Sequence, residues 1–231
     1  SRGIEANPAK IRALSQLAIP TNLKKIHKLT GCVAALSRFI SRLGEKALPL
    51  YRLIRRTKHF MWMDAAAAGL DEIKTLLASN PVLTAPNTGE PMLLYIAATH
   101  QVVSAVLVVE REVDGHKFPL QKLVYYVSTI LTPCKSRYPH YQKIAYAVFM
   151  ASRKLRHYFQ ECLITVASEV PLNDIINNCD ATGRIAKWAI ELLPFDITYK
   201  PWRAIKSQVL ANFVAEWTEA KLPKEYGAYS N

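Results

Sequence analysis

The residues of this chain that could do chemistry are its four cysteines, six histidines and 18 acidic side chains, and their spacing removes most of what they could do. Cys32, Cys134, Cys162 and Cys179 stand far apart, with no CxxC for redox work or zinc, and His27, His59, His100, His116, His140 and His157 add no paired ligand motif. The cysteines therefore read as buried free thiols, which behave as small hydrophobes. Two adjacent aspartates, able to hold a pair of divalent metals in a tight turn, occur nowhere. What remains is a cationic set. On a single helix Lys24, Lys28, Arg38 and Arg42 would share one side, with Gly31 and Ala35 between them. Small residues flanked by cations let a backbone approach a sugar–phosphate surface. Gly31 costs a helix about 1 kcal/mol relative to alanine, so its place asks for a reason. The same pattern also fits a solvated face in which Gly31 marks a break.

Charge sharpens that reading. The chain has 231 residues and a net charge of +12. Residues 1–60 hold 13 Lys and Arg against Glu5 and Glu45, an excess of +11, and the remainder is close to neutral. So local an excess is what a polyanion-binding module needs, an anionic membrane surface or simple solubility being the alternatives. Half the residues are apolar, as in an ordinary globular protein. No apolar run nears the roughly 20 residues that span a bilayer, and no leader opens the sequence, so a soluble intracellular protein without a membrane partner is expected.

The elements that must position these residues fall into two textures. Ile11–Leu17 reads as a short helix closed by Pro20, and Thr21 to Leu43 as a long one capped by Thr21 or Asn22. Its apolar stripe is Ile26, Leu29, Cys32, Val33, Leu36, Phe39, Ile40 and Leu43. Residues 44–60 continue as a basic helical stretch containing Arg52, Arg55 and Arg56, and Met63–Ala78 is an alanine-rich helix. Asn80-Pro81 and the turn at 86–89 mark a boundary near residues 80–90. Beyond it MLLYIAAT, VVSAVLVVER and KLVYYVSTI read as three meandering strands. A helix over Tyr138–Phe159 follows, then a strand at Cys162–Ala167 and helices at Leu172–Asn177 and Arg184–Leu192. A strand at Phe195–Lys200 and a helix at Ile205–Glu216 close the series. The fold class is α/β, with a mixed sheet of five strands and flanking helices.

Several strings agree in order with one family. LTGCVAALSRFISR resembles the thumb motif of gypsy-type LTR retrotransposon reverse transcriptases. PVLTAP with LLYIAATHQVVSAVLVVE is similar to the entry and first strands of their ribonuclease H domain. VYYVSTIL with RYPHYQKIAYAVFMASRKLRHYF resembles its third strand and long helix, and GRIAKWAIELLPFDITYKPWRAIKSQVLANFVAE its closing strand and helix. The likeness covers roughly residues 3–219. It implies a helical thumb over 1–80, a ribonuclease H-like domain over 81–217 and a linker over 218–231.

The resemblance also implies a loss. The family holds two Mg²⁺ ions about 3.5–4 Å apart on four carboxylates, one ion activating water and the other the leaving oxygen. Here Ala97 stands at the first carboxylate position, Ile144 at the second, Glu169 at the third, where Asp is usual, and Asn212 at the fourth. A charge pair at about 4 Å is worth roughly 4 kcal/mol at an effective dielectric near 20, so three missing anions leave two dications repelling each other. Asp174, Asp180 and Asp196 lie in or beside other elements of the fold. No catalytic residue, no metal and no cofactor are expected.

IAAT and the tail FVAEWTEAKLP resemble the plant Tat lineage, in which a decayed ribonuclease H tethers the polymerase to a second, active one. The expected partners are an RNA–DNA hybrid or DNA duplex and the rest of the polyprotein. Lys24, Lys28, Gly31, Arg38 and Arg42 would contact the duplex, with Arg52, Arg55 and Arg56 behind them. The expected compartment is the cytoplasm, in a virus-like particle, or the nucleus. A residual nuclease, a genomic relic without selected function and a host-adopted scaffold are the competing readings.

Overall fold

A computed structural model describes residues 3–55, 60–79, 81–113, 119–178 and 183–202. Asn212, the expected helix at 205–216, the linker at 218–231, Arg56, Cys179, Asp180, His59 and His116 lie outside the described residues, as does the side chain of Arg55.

The first half is helical. A two-residue strand β1 (Ile4–Glu5) leads into α1 (Pro8–Ser15), whose first turn is capped by Asn7 and opened by Pro8. Helix α2 (Leu23–Ala35) starts at Asn22, whose side chain accepts from the Lys25 amide at 3.0 Å. The expected continuation to Leu43 does not form. After Ala35 the chain tightens into a 3₁₀ turn (Ser37–Phe39), and Arg42 adopts a left-handed conformation with φ 53° before α3 (Leu43–Lys46). The apolar stripe survives this break because the turn delivers its residues to the same place. Ile26, Leu29, Val33, Leu36, Phe39, Ile40 and Leu43 are all buried in one cluster, with Cys32 half-buried beside them. Helices α4 (Leu48–Arg55) and α5 (Asp64–Ala78) complete that cluster. Strand β2 (Val82–Leu83) returns to pair antiparallel with β1, and Leu83 is fully buried in the helical cluster. By packing, then, residues on both sides of the 80/81 boundary belong to the helical unit.

The second half is built on a five-stranded sheet. Strands β3 (Met92–Ala98), β4 (Val102–Arg111) and β5 (Leu120–Ile130) form the expected antiparallel meander. A short helix α6 (Pro133–Ser136) leads to α7 (His140–Lys154) and α8 (Arg156–Glu161). The single helix expected over Tyr138–Phe159 is thus two, because the backbone bends at Leu155 (φ −113°, ψ 30°). Strand β6 (Ile164–Ser168) pairs parallel with β3, and after α9 (Leu172–Ile176) and α10 (Arg184–Leu192) strand β7 (Ile197–Pro201) pairs parallel with β6. The sheet order is β5-β4-β3-β6-β7. Strands with both faces covered read as nearly continuous apolar runs, as β3, β4 and β6 do. One face carries α7 and α10 over a core that includes Leu94, Ile96, Ala98, Ile144 and Trp188. The other face holds a smaller cluster of Tyr95, Ala97, Val106, Val108 and Ala167.

The two units meet along β5. The amide of Gly44 donates to the Ser128 hydroxyl at 2.9 Å. A Cβ at Gly44 would stand 2.6 Å from that oxygen and 2.7 Å from a Val102 methyl, so only glycine permits the approach. Arg52 reaches Gln101 at 2.8 Å, and the Thr84 amide donates to the Leu123 carbonyl at 2.6 Å. The connecting turn is held by Glu90, which accepts from Arg111 at 2.7 and 2.8 Å and from the Asn87 amide at 2.7 Å. The Arg111 guanidinium beside it keeps the Glu90 carboxyl below the usual range.

Among the described cysteines only Cys162 is buried, with its thiol pKa raised by desolvation; Cys32 is half-buried and Cys134 exposed on the short α6. The expectation of buried thiols fails at Cys134 because α6 lies on the surface. Among the described residues no helix is long and apolar enough to cross a membrane.

Candidate functional site

Two places bear on function: the end of the sheet where carboxylates would act, and the basic face of α2. At the first, β3 and β6 run parallel with Tyr95 opposite Ala167, and continuing that register sets Ala97 level with Glu169. The α7 N-terminus arrives at the same end, since His140 Nε2 and Glu169 Oε1 are 2.5 Å apart. The fold therefore keeps the scaffold of such a site, and its lining shows what the site can do. Ala97 is 3% exposed and packs with Tyr95, Val106, Val108 and Ala167. Ile144 is fully buried on the opposite face of the sheet, within the core under α7.

Glu169 is engaged by His140. One residue before Ile144, Lys143 is buried and donates to the His100 carbonyl at 3.2 Å, with its pKa lowered by desolvation. The first turn of α7 thus brings an ammonium and an imidazole, and no carboxylate. Asp174 and Asp196 are exposed, on α9 and just before β7. Among the described residues no group of three or more His, Cys, Asp or Glu could hold a metal. The side chains present do not fit a pair of Mg²⁺ ions, which need several carboxylate oxygens converging on open space. His140, Lys143 and their partners carry no signal in the sequence, because each contact joins residues far apart along the chain.

At the second place the structure divides the five predicted contacts. Lys24, Lys28 and Gly31 lie on the exposed side of α2. Among the described residues a Cβ at Gly31 would meet nothing within 4 Å, so none of their contacts accounts for a glycine there. Arg38 and Arg42 leave this face, because α2 ends before them. Arg38 is half-buried, its guanidinium 5.2 Å from the Phe39 ring centroid and 5.5 Å from that of Tyr125, and its Nε is buried without a hydrogen bond. It fastens the helical unit to β5 through its π contacts. Arg42 is paired with Glu45 through Nε at 2.7 Å and through its terminal nitrogen. The cationic face is accordingly smaller than the sequence predicts. Arg52 is exposed and held by Gln101.

The sheet order, the helix across it and the meander at its start define a ribonuclease H-like fold. Residues 62–166 match the family model described as the RNase H-like domain found in reverse transcriptase. The chain is thereby similar to the reverse transcriptase and RNase H-like region of retroelement polyproteins. Among curated relatives the chain is 25% identical over 225 residues to the retrovirus-related Pol polyprotein from transposon opus of Drosophila melanogaster, covering 91% of this chain and 22% of that protein. It is 25% identical over 213 residues to the transposon Tf2-3 polyprotein of Schizosaccharomyces pombe, covering 89% and 16%. The chain thus spans about a fifth of the length of the curated relatives it matches. A solved foamy viral protease-reverse transcriptase in complex with RNA/DNA hybrid shares the fold with a TM-score of 0.71 at 16% identity, over 97% of this chain and 29% of that one. A second foamy viral structure, in complex with dsDNA, gives 0.67 at 17% identity, over 84% and 41%.

Proposed function

We propose that this chain is a non-catalytic part of a retrotransposon reverse transcriptase of the plant Tat lineage. Its helical unit grips template–primer or RNA–DNA hybrid, and its RNase H-like unit tethers the polymerase to a downstream nuclease. The observation that carries the loss of catalysis is the packing of Ala97 and Ile144 into apolar clusters while the remaining acid, Glu169, is held by His140. The exposed Lys24, Lys28 and Gly31 support the duplex contact, since cations on phosphates position a duplex without reading its sequence. The foamy viral relatives of the fold, solved with RNA/DNA hybrid and with dsDNA, favour the same partners. Asn212 at the fourth carboxylate position is consistent with this reading from sequence.

The test is binding of the purified chain to a short RNA–DNA hybrid across a salt series, with Mg²⁺ present and the products resolved on a gel. Binding that falls steeply with salt and leaves the substrate intact is expected. Cleavage of the RNA strand would overturn the loss of catalysis, and a salt slope near zero the duplex contact.

A further inference from the structure

A cleft of about 560 Å³ opens on the seam between the two units, between α3 and α4 on one side and the ends of β5 and α7 on the other. Its walls are of two kinds. Leu48, Ile54 and Pro133 give it an apolar side, and Arg52 and Lys154 bring two cations. No aspartate or glutamate is among its described lining residues. Lys46, Arg111 and Arg153, by contrast, each pair with a glutamate. Arg52 instead donates to the Gln101 side-chain oxygen at 2.8 Å. Lys154 donates to the Ser128 carbonyl at 3.1 Å and the Thr129 hydroxyl at 2.9 Å. Neutral oxygens hold a cation in place without cancelling its charge, so both remain open to an anion. Burial lowers the Lys154 pKa, and an arriving anion would offset that desolvation.

Volume narrows the ligand. A bare phosphate would leave most of the cleft empty, whereas the size is ordinary for a site that encloses a small organic molecule. An anion joined to a larger, partly apolar body meets the cations and the Leu48, Ile54 and Pro133 wall at once. We propose that this cleft binds a phosphorylated nucleoside, with its phosphate on Arg52 and Lys154 and its base against Leu48, Ile54 and Pro133. The nucleoside arrives free in solution or as an unpaired residue of a nucleic-acid strand. None of Lys24, Lys28 and Gly31 lines the cleft, so the proposal is independent of the duplex contact on α2.

The experiment is calorimetric titration of the full chain with adenosine 5′-monophosphate and, separately, with a short single-stranded oligonucleotide. Saturable binding is expected for at least one probe, weakened about tenfold or more by Arg52→Gln and by Lys154→Gln. Ser136→Trp, which fills the cleft from α6 and leaves both cations in place, should abolish it with the melting temperature retained. Lys24→Gln with Lys28→Gln should leave nucleotide binding unchanged while weakening the hybrid, so the two functions fail separately. Binding of the monophosphate alone assigns a free nucleotide, and binding of the strand alone assigns an unpaired residue. No saturable binding by either probe, or binding that survives Ser136→Trp, would overturn the proposal.

Discussion

The end of the sheet near Ala97 and the outer side of α2 are opposites. At the sheet end the three described candidate positions are answerable to their neighbours: Ala97 and Ile144 are enclosed by apolar side chains, and Glu169 is tied to His140. On α2, Lys24, Lys28 and Gly31 are exposed, and among the described residues nothing stands within 4 Å of a Cβ built at Gly31. An inward position takes its character from the core around it, whereas an outward one keeps its character without help from packing. Only the second kind of residue still points to something outside the molecule.

The largest effect should come from trying to erase this difference. Ala97→Asp places a carboxylate at a site 3% exposed, in a cluster of apolar side chains, and is expected to destabilise the fold by about 3–5 kcal/mol in denaturant unfolding. Adding Ile144→Glu should not restore Mg²⁺-dependent cleavage of a hybrid. A well-folded, active double variant would show that the sheet end is still a site.

On the other side, Lys24→Gln with Lys28→Gln should leave the unfolding curve in place and flatten the salt dependence of hybrid binding by roughly 2 in logarithmic slope. An unchanged slope would make α2 a solvated face.

The Glu90–Arg111 clamp tests the scaffold between these regions. Glu90→Gln should cost about 1–2 kcal/mol. Because the folded-state pKa of Glu90 is lowered, its contribution is complete above the ordinary glutamate range and is lost as pH falls through the folded value. The variant should therefore lose less stability on acidification than the parent, as read by thermal melts across acidic pH.

Gly31→Ala gives the smallest change and sharpens the comparison most. Helix propensity predicts a gain of up to about 1 kcal/mol, since the new methyl meets nothing among the described residues. A backbone that must approach a sugar–phosphate surface predicts weaker hybrid binding in the same variant. A gain in stability with unchanged binding would remove the functional reason for the glycine.

Much of the fold was legible because apolar period and turn residues agree locally. Helix α10 covers the residues its pattern predicts, and the strands fall within a few residues of their runs. The long helix expected from Thr21 to Leu43 is interrupted, and its period hides the break for a specific reason. Leu36 to Arg42 contains neither glycine nor proline, and its apolar residues still reach the core, so periodicity passes through a break that only the backbone reveals. The split at Leu155 is hidden in the same way. The assignment of Ala97, Ile144, Glu169 and Asn212 to carboxylate positions rests on motif resemblance alone, and the His140–Glu169 pair, joining residues 29 apart, leaves no trace in spacing. The cleft was equally invisible, since Arg52 and Lys154 come from opposite sides of the seam.

The pairing of β1 with β2 has a mechanical consequence. Ile4 lies opposite Leu83, so the chain enters and leaves the helical unit at adjacent points. Tension applied between residues 3 and 84 loads this two-stranded ribbon at one end, where its hydrogen bonds break in succession instead of sharing the force. The parallel pairing of β3 with β6 offers no such end-on grip to the same pull. Stretched across those points, the molecule should therefore yield first by unzipping at Ile4 and Leu83, before the packed helices or the sheet carry the load.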